Sequence, residues 1–299
     1  MTGLHVVYRS YGGENTKGRP DFYTKRLAVI SLLRAVADAG RPVELIFLND
    51  GPIPAERLTL MERGGEILTL PSVGNKRSLL TALALPGKRR WPGRDVVWFA
   101  EDDYLYLPAA FTQLGGAADL VPKADYLALY ALIGDRPPEG GRLPEWLMAP
   151  KSRWTIQPVL VAGHDWRPGL ATTATFGARV EVIGTDRHAF ALSLATASTW
   201  DYTASLAYQG FVPFPWNRLL SDPRPGKRSL QRRTRVAAAL PGRVAVDLAA
   251  IILRRRRRLL LAADPALCTH METAHLALGS DWSRVSTDTA DWAAAHAIG

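Results

Sequence analysis

Apolar residues in the first third of the chain fall into short unbroken blocks separated by helix-spaced stripes. The blocks at 4–8, 43–48, 66–70 and 96–100 have strand length. The last, Val-Val-Trp-Phe-Ala, has no polar alternation, the pattern of a strand buried on both faces of a parallel sheet. Between the first two, Leu27, Ile30, Leu33 and Val36 recur at helical spacing within residues 22–39, and Gly40 closes the segment. Further helices are predicted at about 54–63 and from Gly74 through Leu85. Strand and helix alternate, which predicts an α/β fold with a mostly parallel sheet covered by helices on both faces.

Beyond residue 107 the pattern loosens. Residues 126–133 read as one strand, followed by a Pro- and Gly-rich stretch with Trp146, Trp154 and Trp166. Paired strands are expected over 172–183 around Gly177. Asp186 is a candidate N-cap for a helix to about 195, and Thr199 for another that carries Trp200 and Asp201 and closes at Gly210. Pro213 and Pro215 restrict residues 211–216 to an edge strand. Apolar stretches at 244–253 and 259–263 flank five successive arginines, Arg254 to Arg258, which cannot all face one side of a helix.

The block at 96–100 runs directly into Glu101, Asp102 and Asp103. Side chains alternate along a strand, so Glu101 and Asp103 project to one side. Three carboxylates at the end of a buried strand repel unless something positive neutralises them. A divalent cation, Mg2+ or Mn2+, carrying a phosphorylated ligand meets that need with oxygen ligands. An acidic turn in solvent is the plainer alternative. Arg9 and Asp50 also fall at strand ends, where parallel sheets gather ligands, and the coincidence favours a site.

Composition narrows the classes. With 299 residues and 47% hydrophobic content, the chain can bury one large core or two modest ones. No window approaches a membrane span and no apolar signal stretch precedes residue 4, so a cytoplasmic protein is expected. Cys268 is the only cysteine, which excludes a disulfide framework and a thiolate metal site. The net charge of +9 is local, because residues 218–258 hold thirteen Arg or Lys against Asp222 and Asp247, an excess of +11. A polybasic stretch next to apolar residues suits an anionic membrane surface at the inner face of the membrane; steering of an anionic donor ranks second. Nucleic acid ranks last, since residues 217–261 lack the stacking aromatics that RNA binding uses.

Over roughly residues 4–216, and again at 268–275, the sequence resembles glycosyltransferases of the GT-A fold, most nearly those of family 2. The resemblance implies a Rossmann-like catalytic domain at 1–216, a basic helical or mobile insertion at 217–263, and a C-terminal segment at 264–299 returning to the site. It implies that Glu101-Asp102-Asp103 stands for the family's Asp-x-Asp, with Glu101 and Asp103 on the metal and Asp102 near the nucleotide sugar. Arg9, Asp50, Gly74, Asn75, Lys76 and Ser78 match positions that approach the nucleotide, and His270 matches a further metal ligand. Asp201, in a shortened copy of the Glu-Asp helix with Trp200 for the Glu, matches the general base. The implied activity is hexosyltransferase-like transfer from a UDP- or GDP-sugar to an unidentified hydroxyl acceptor, with Mn2+ or Mg2+ and with inversion. Each residue also has a plainer role: Asp50 as a turn cap, Arg9 in an ion pair, Lys76 in solvent, Asp201 at a helix dipole, and His270 with His275 as rival.

A metal-dependent nucleotidylyltransferase is the competing enzyme class. It calls for a Gly-rich phosphate loop with Arg and Lys after the first strand, which the stretch from Gly12 to Arg19 matches poorly. A non-catalytic protein binding an anionic surface is the third reading.

Overall fold

The computed structural model of the chain describes residues 1–15, 17–133, 157–221 and 230–298. The first half runs β1 (Leu4–Tyr11), α1 (Lys25–Ala37), β2 (Val43–Asp50), α2 (Ala55–Gly64), β3 (Glu66–Leu70), α3 (Asn75–Arg89), β4 (Val96–Glu101), β5 (Tyr104–Tyr106), α4 (Ala110–Leu120), β6 (Tyr126–Ala128) and β7 (Ala131–Ile133). The second half adds β8 (Val159–Val161), β9 (His164–Thr172), β10 (Phe176–Arg179), α5 (Val180–Ser193) and α6 (Trp200–Tyr208). It closes with α7 (Leu230–Ala238), α8 (Leu240–Leu253), β11 (Leu260–Asp264), β12 (Cys268–His270) and α9 (Trp282–Ala295).

The main sheet has the order β3-β2-β1-β4-β10-β6-β11-β9-β7, with β8 added beside β9. The first four strands are parallel, β10 runs against both its neighbours, and β11 is parallel to β6. The unbroken apolar blocks of the sequence become its centre. Along β1, β2 and β4, alternate side chains feed two cores. Val6, Tyr8, Leu45, Phe47, Trp98 and Ala100 face one side, with α1, α2 and α4. Val7, Ile46, Leu48, Val97 and Phe99 face the other, with α3, α5 and α6. Period-two alternation of apolar residues on both faces is what a sheet between two helical layers requires.

Several expectations are corrected. β1 reaches Tyr11, so Arg9 lies inside the strand rather than after it. The block at 126–133 is two strands, β6 and β7, in different places in the sheet. Asp186 is no N-cap: α5 begins at Val180, and Asp186 is buried mid-helix. Its carboxylate accepts from Arg258 Nε at 2.9 Å and from the Tyr126 hydroxyl at 3.0 Å. The end of the range expected as strand, 180–183, opens α5 instead, with Val182 and Ile183 packed into the second core. Residues 211–216 form no strand; a single 3-10 turn spans Trp216–Arg218. Trp166 is a core residue, fully buried, while Trp146 and Trp154 lie outside the described residues. The division at residue 216 falls inside the sheet, since β11 lies between β6 and β9. Among the described residues, no helix is long and apolar enough to cross a membrane.

α8 is held by its inner face, where Arg243, Val246 and Ala250 are buried. Asp247 on that helix accepts from the Phe214 N–H at 3.0 Å. Burial pushes its carboxyl up to about 6, against the pull of that N–H and of Arg243, the charged side chain facing it. Between the usual carboxylate value and 6, the folded chain holds a proton that the unfolded chain has lost, so this contribution to stability falls as pH rises. Asp247→Asn removes the titration. The variant is expected to gain about 1–2 kcal/mol relative to the parent between pH 4 and pH 7, allowing for solvent screening at a half-buried site. Paired urea melts across that range measure it, and a pH-independent difference would refute the assignment.

Candidate functional site

The carboxyl ends of β1 and β4 meet at the register pair Arg9 and Glu101. Asp102 and Asp103 occupy the turn between β4 and β5, and β5 pairs with β12 so that His270 stands opposite Tyr104. The Met271 N–H donates to the Asp103 carbonyl at 2.8 Å, and the His270 ring stacks on Tyr104 at 5.1 Å. His270, far off in sequence, is thus fixed beside Asp103 by main-chain pairing and by a ring contact.

Each carboxylate of the triplet has its own cation. Glu101 pairs with Arg9, whose guanidinium also donates to the Asn75 side chain and carbonyl at 3.1 Å. Asp102 Oδ2 accepts from Lys25 Nζ at 2.8 Å, from the Ser10 hydroxyl at 3.1 Å and from the Tyr11 N–H at 3.1 Å. Lys25 is 3% exposed and donates onward to the carbonyls of Tyr11 and Gly13. Asp103 Oδ2 is 2.9 Å from His270 Nε2 and accepts from Arg19 at 3.0 Å. Burial pushes the Asp103 carboxyl up, but His270 and Arg19 outweigh it and hold it at about 2. For Glu101 and Asp102 burial prevails over the neighbouring cations, and both lie above the ordinary carboxylate value.

The loop after β1 closes over this cluster. Arg19 donates to the Met271 carbonyl at 2.6 Å and lies over the Tyr23 ring at 4.2 Å. Lys17 pairs with Glu272 at 2.9 Å. Asp201 stands in the first turn of α6 and accepts from the Tyr202 N–H at 2.8 Å. Burial pushes its carboxyl up, offset only in part by local N–H groups, Lys17 and His270. Its charge in turn raises Glu101. Asp201 therefore shares one electrostatic neighbourhood with the β4 triplet, and among the described residues no ion pair of 4.0 Å or less engages it.

The other candidates divide. Asp50 caps the turn before α3, accepting from the N–H groups of Val73 at 2.6 Å and Gly74 at 2.8 Å. Gly51 and Gly74 make that turn, with φ of 90° and 84°, the left-handed region where a side chain is strained. Ser78 is buried under Arg9, and Asn75 is exposed beside it. Lys76 donates to the Leu194 carbonyl at 3.0 Å, at the edge of a cavity of about 350 Å³ lined also by Asn75, Leu79, Ser198, Trp200 and Arg235. His275 is exposed.

Among the described residues no group of three or more His, Cys, Asp or Glu side chains is arranged to hold a metal ion. Glu101 is drawn to Arg9 rather than towards Asp103. Of the three expected ligands, Asp103 and His270 lie together, an oxygen and a nitrogen at the hydrogen-bond distance of 2.9 Å, with Arg19 on the same oxygen. That pair fits two coordination positions of Mn2+, for which a carboxylate beside an imidazole is better suited than for Mg2+. Lys17, Arg19, Lys25 and Glu272 were missed as site residues by sequence reasoning. The only signal was a pair of cations in the Gly-containing loop and Lys25 beside Arg26 at the start of the first helix.

No protein-family model and no curated protein matches the chain. Among solved structures, it is similar to the crystal structure of S. aureus TarS at 14% identity, over 69% of this chain and 33% of that one, with a TM-score of 0.37. Against S. aureus TarS 1–349 in complex with UDP the values are 12%, 71%, 56% and 0.39. Against the complex of the same fragment with UDP-GlcNAc they are 13%, 69%, 52% and 0.36. The chain spans between a third and just over half of the length of these chains.

The Lys25–Asp102 pair is scaffold for the whole cluster, and removing one partner leaves a buried charge uncompensated. Lys25→Met is expected to cost about 3–5 kcal/mol, and Lys25→Met with Asp102→Asn to recover most of it, as for other buried pairs. Thermal denaturation of the two variants reads this; an undiminished melting temperature for Lys25→Met would show the pair to be dispensable.

Proposed function

We propose that this chain is a GT-A-type glycosyltransferase, moving a sugar from a nucleoside diphosphate sugar to a hydroxyl acceptor. The observation that carries the reading is Asp201: a half-buried carboxylate that no ion pair engages among the described residues, in the same neighbourhood as a cluster of paired charges. A carboxylate raised above its ordinary value and free of a cation is suited to take the proton of an attacking hydroxyl. Lys17 and Arg19 are placed to meet the anionic diphosphate beside it. Asn75, fixed against Arg9, and the backbone opening α3 would contact the nucleoside. The neighbouring cavity, with Trp200 on its wall, is of the size of a small ligand pocket and would receive the acceptor.

Asp103 and His270 would hold a divalent cation, which when bound supplies Lewis-acid charge to the leaving diphosphate. Asp103 then positions the donor, while Asp201 receives the proton of the hydroxyl. A base on the face opposite the leaving group gives inversion at the anomeric carbon. Nucleotidyl transfer is the second reading, favoured by Lys17 and Arg19 lying on the loop after β1 at the carboxylates. It differs in releasing pyrophosphate rather than a nucleoside diphosphate.

Calorimetric titration with UDP- and GDP-sugars, with and without Mn2+, tests the reading. Binding that requires Mn2+ in the parent is expected to vanish in Asp103→Ala, with a lowered melting temperature because Arg19 and His270 lose the carboxylate they share. Undiminished Mn2+-dependent affinity in that variant would end the role of Asp103.

Asp201→Asn keeps the size and most hydrogen bonding of the side chain but removes its basicity. Donor affinity should stay within about threefold while turnover falls by about 100-fold or more, the scale of a lost general base. Near-parental turnover in the Asn variant would remove both the base and the inversion that depends on it.

A further inference from the structure

We propose that the outer face of α8, with the arginine run that follows it, docks the protein on an anionic lipid surface. At 100° per residue, Val244, Leu248, Ile251 and Ile252 share an arc of about 100° on the side opposite the buried Arg243, Val246 and Ala250. They are 40%, 55%, 49% and 71% exposed, so four aliphatic side chains form one uncovered stripe. The acid of that helix, Asp247, is turned inward to the Phe214 N–H. The adjacent segment is strapped to the helix by Arg243, which donates to the carbonyls of Leu219 and Ser221 at 2.7 Å. It presents Trp216 at 89% exposure and Leu220 at 68%. Arg254, Arg255, Arg256 and Arg257 follow directly and are all exposed.

Aliphatic stripe, exposed tryptophan and arginines at one end of a helix match the three layers of a bilayer interface: acyl boundary, carbonyl region and anionic headgroups. Charge complementarity decides between occupants. A second copy would bring the same arginines against these, with like-charge repulsion. Nucleic acid would use the arginines but gains nothing from burying an aliphatic stripe. A lipid surface uses both halves of the patch. The proposal stands independently of the sugar-transfer reading.

Co-sedimentation of the full chain with vesicles of phosphatidylcholine, alone or mixed with phosphatidylglycerol, tests it. Binding is expected to the mixed vesicles and to weaken as salt screens the charges. Arg255→Ala with Arg256→Ala should weaken it about 25-fold, from about 1 kcal/mol per arginine at the surface. Leu248→Ser with Ile252→Ser should weaken it by about tenfold or more through lost apolar burial. All four positions are exposed, so melting temperatures should match the parent. Brominated acyl chains should quench tryptophan emission less in Trp216→Phe than in the parent. Equal binding to neutral and mixed vesicles overturns the proposal, as does absence of binding to either. Undiminished binding of the serine variant would also overturn it. So would a dimer, seen by light scattering, that the serine substitutions dissolve while the parent ignores vesicles.

Discussion

Three adjacent carboxylates ending a buried strand can coexist because three parts of the chain each bring a cation to one of them. Arg9 comes from β1, Lys25 from α1 and Arg19 from the connecting loop, joined at Asp103 by His270 from β12. Desolvation of a lone carboxylate at such a position costs several kcal/mol, more than any single packing contact returns. The arrangement around β4 is therefore dictated by electrostatics. The loop folds back with Arg19, α1 opens with Lys25 behind its Thr24 cap, and the C-terminal ribbon returns His270 to Asp103.

The same constraint sorts the carboxylates by what they can do. Asp102 spends one oxygen on three donors, two of them scaffold groups of β1, and so holds the strand end to α1. Glu101 fixes Arg9, and through it Asn75 and Ser78 at the start of α3. Asp103 sits between a histidine and an arginine, both on the same oxygen. Asp201, outside the triplet, feels its field, and among the described residues no ion pair engages it.

Much of this was legible before the fold was known. The blocks that became β1 to β4 were plain because a strand buried on both faces has no polar alternation to confuse it. Arg9 and Glu101 meet because β1 and β4 pair in parallel, whereas Asp50, at the end of β2, turns to the N–H groups of Val73 and Gly74. The pairing was not legible. An acidic triplet in sequence demands positive charge, and a metal ion is the economical supposition when no cation is adjacent in the chain. The fold instead recruits Arg19 and Lys25 from the loop and helix after β1, which become neighbours of β4 only once β1 and β4 pair. The same holds for Asp186, which reads as a cap next to an apolar run. It is mid-helix because Arg258, 72 residues later, supplies its charge. β11 follows directly behind the arginine run, yet it lies between β6 and β9 in the main sheet.

The arginine run itself illustrates how one charged stretch can be divided between interior and surface. Arg258 is drawn inward by Asp125 and Asp186 and locks the start of β11, while its four predecessors stay in solvent. That division fixes the direction of the helix before it. α8 must end where Arg258 can reach the two aspartates, and its inner face must pack on α5 and α6. The register that buries Arg243, Val246 and Ala250 then leaves Val244, Leu248, Ile251 and Ile252 outward. α6, on which α8 packs, begins at Trp200 and Asp201. The exposed apolar stripe and Asp201 are thus carried by two helices in direct contact. Interior ion pairing at one residue sets the register, and the register decides which side chains face solvent.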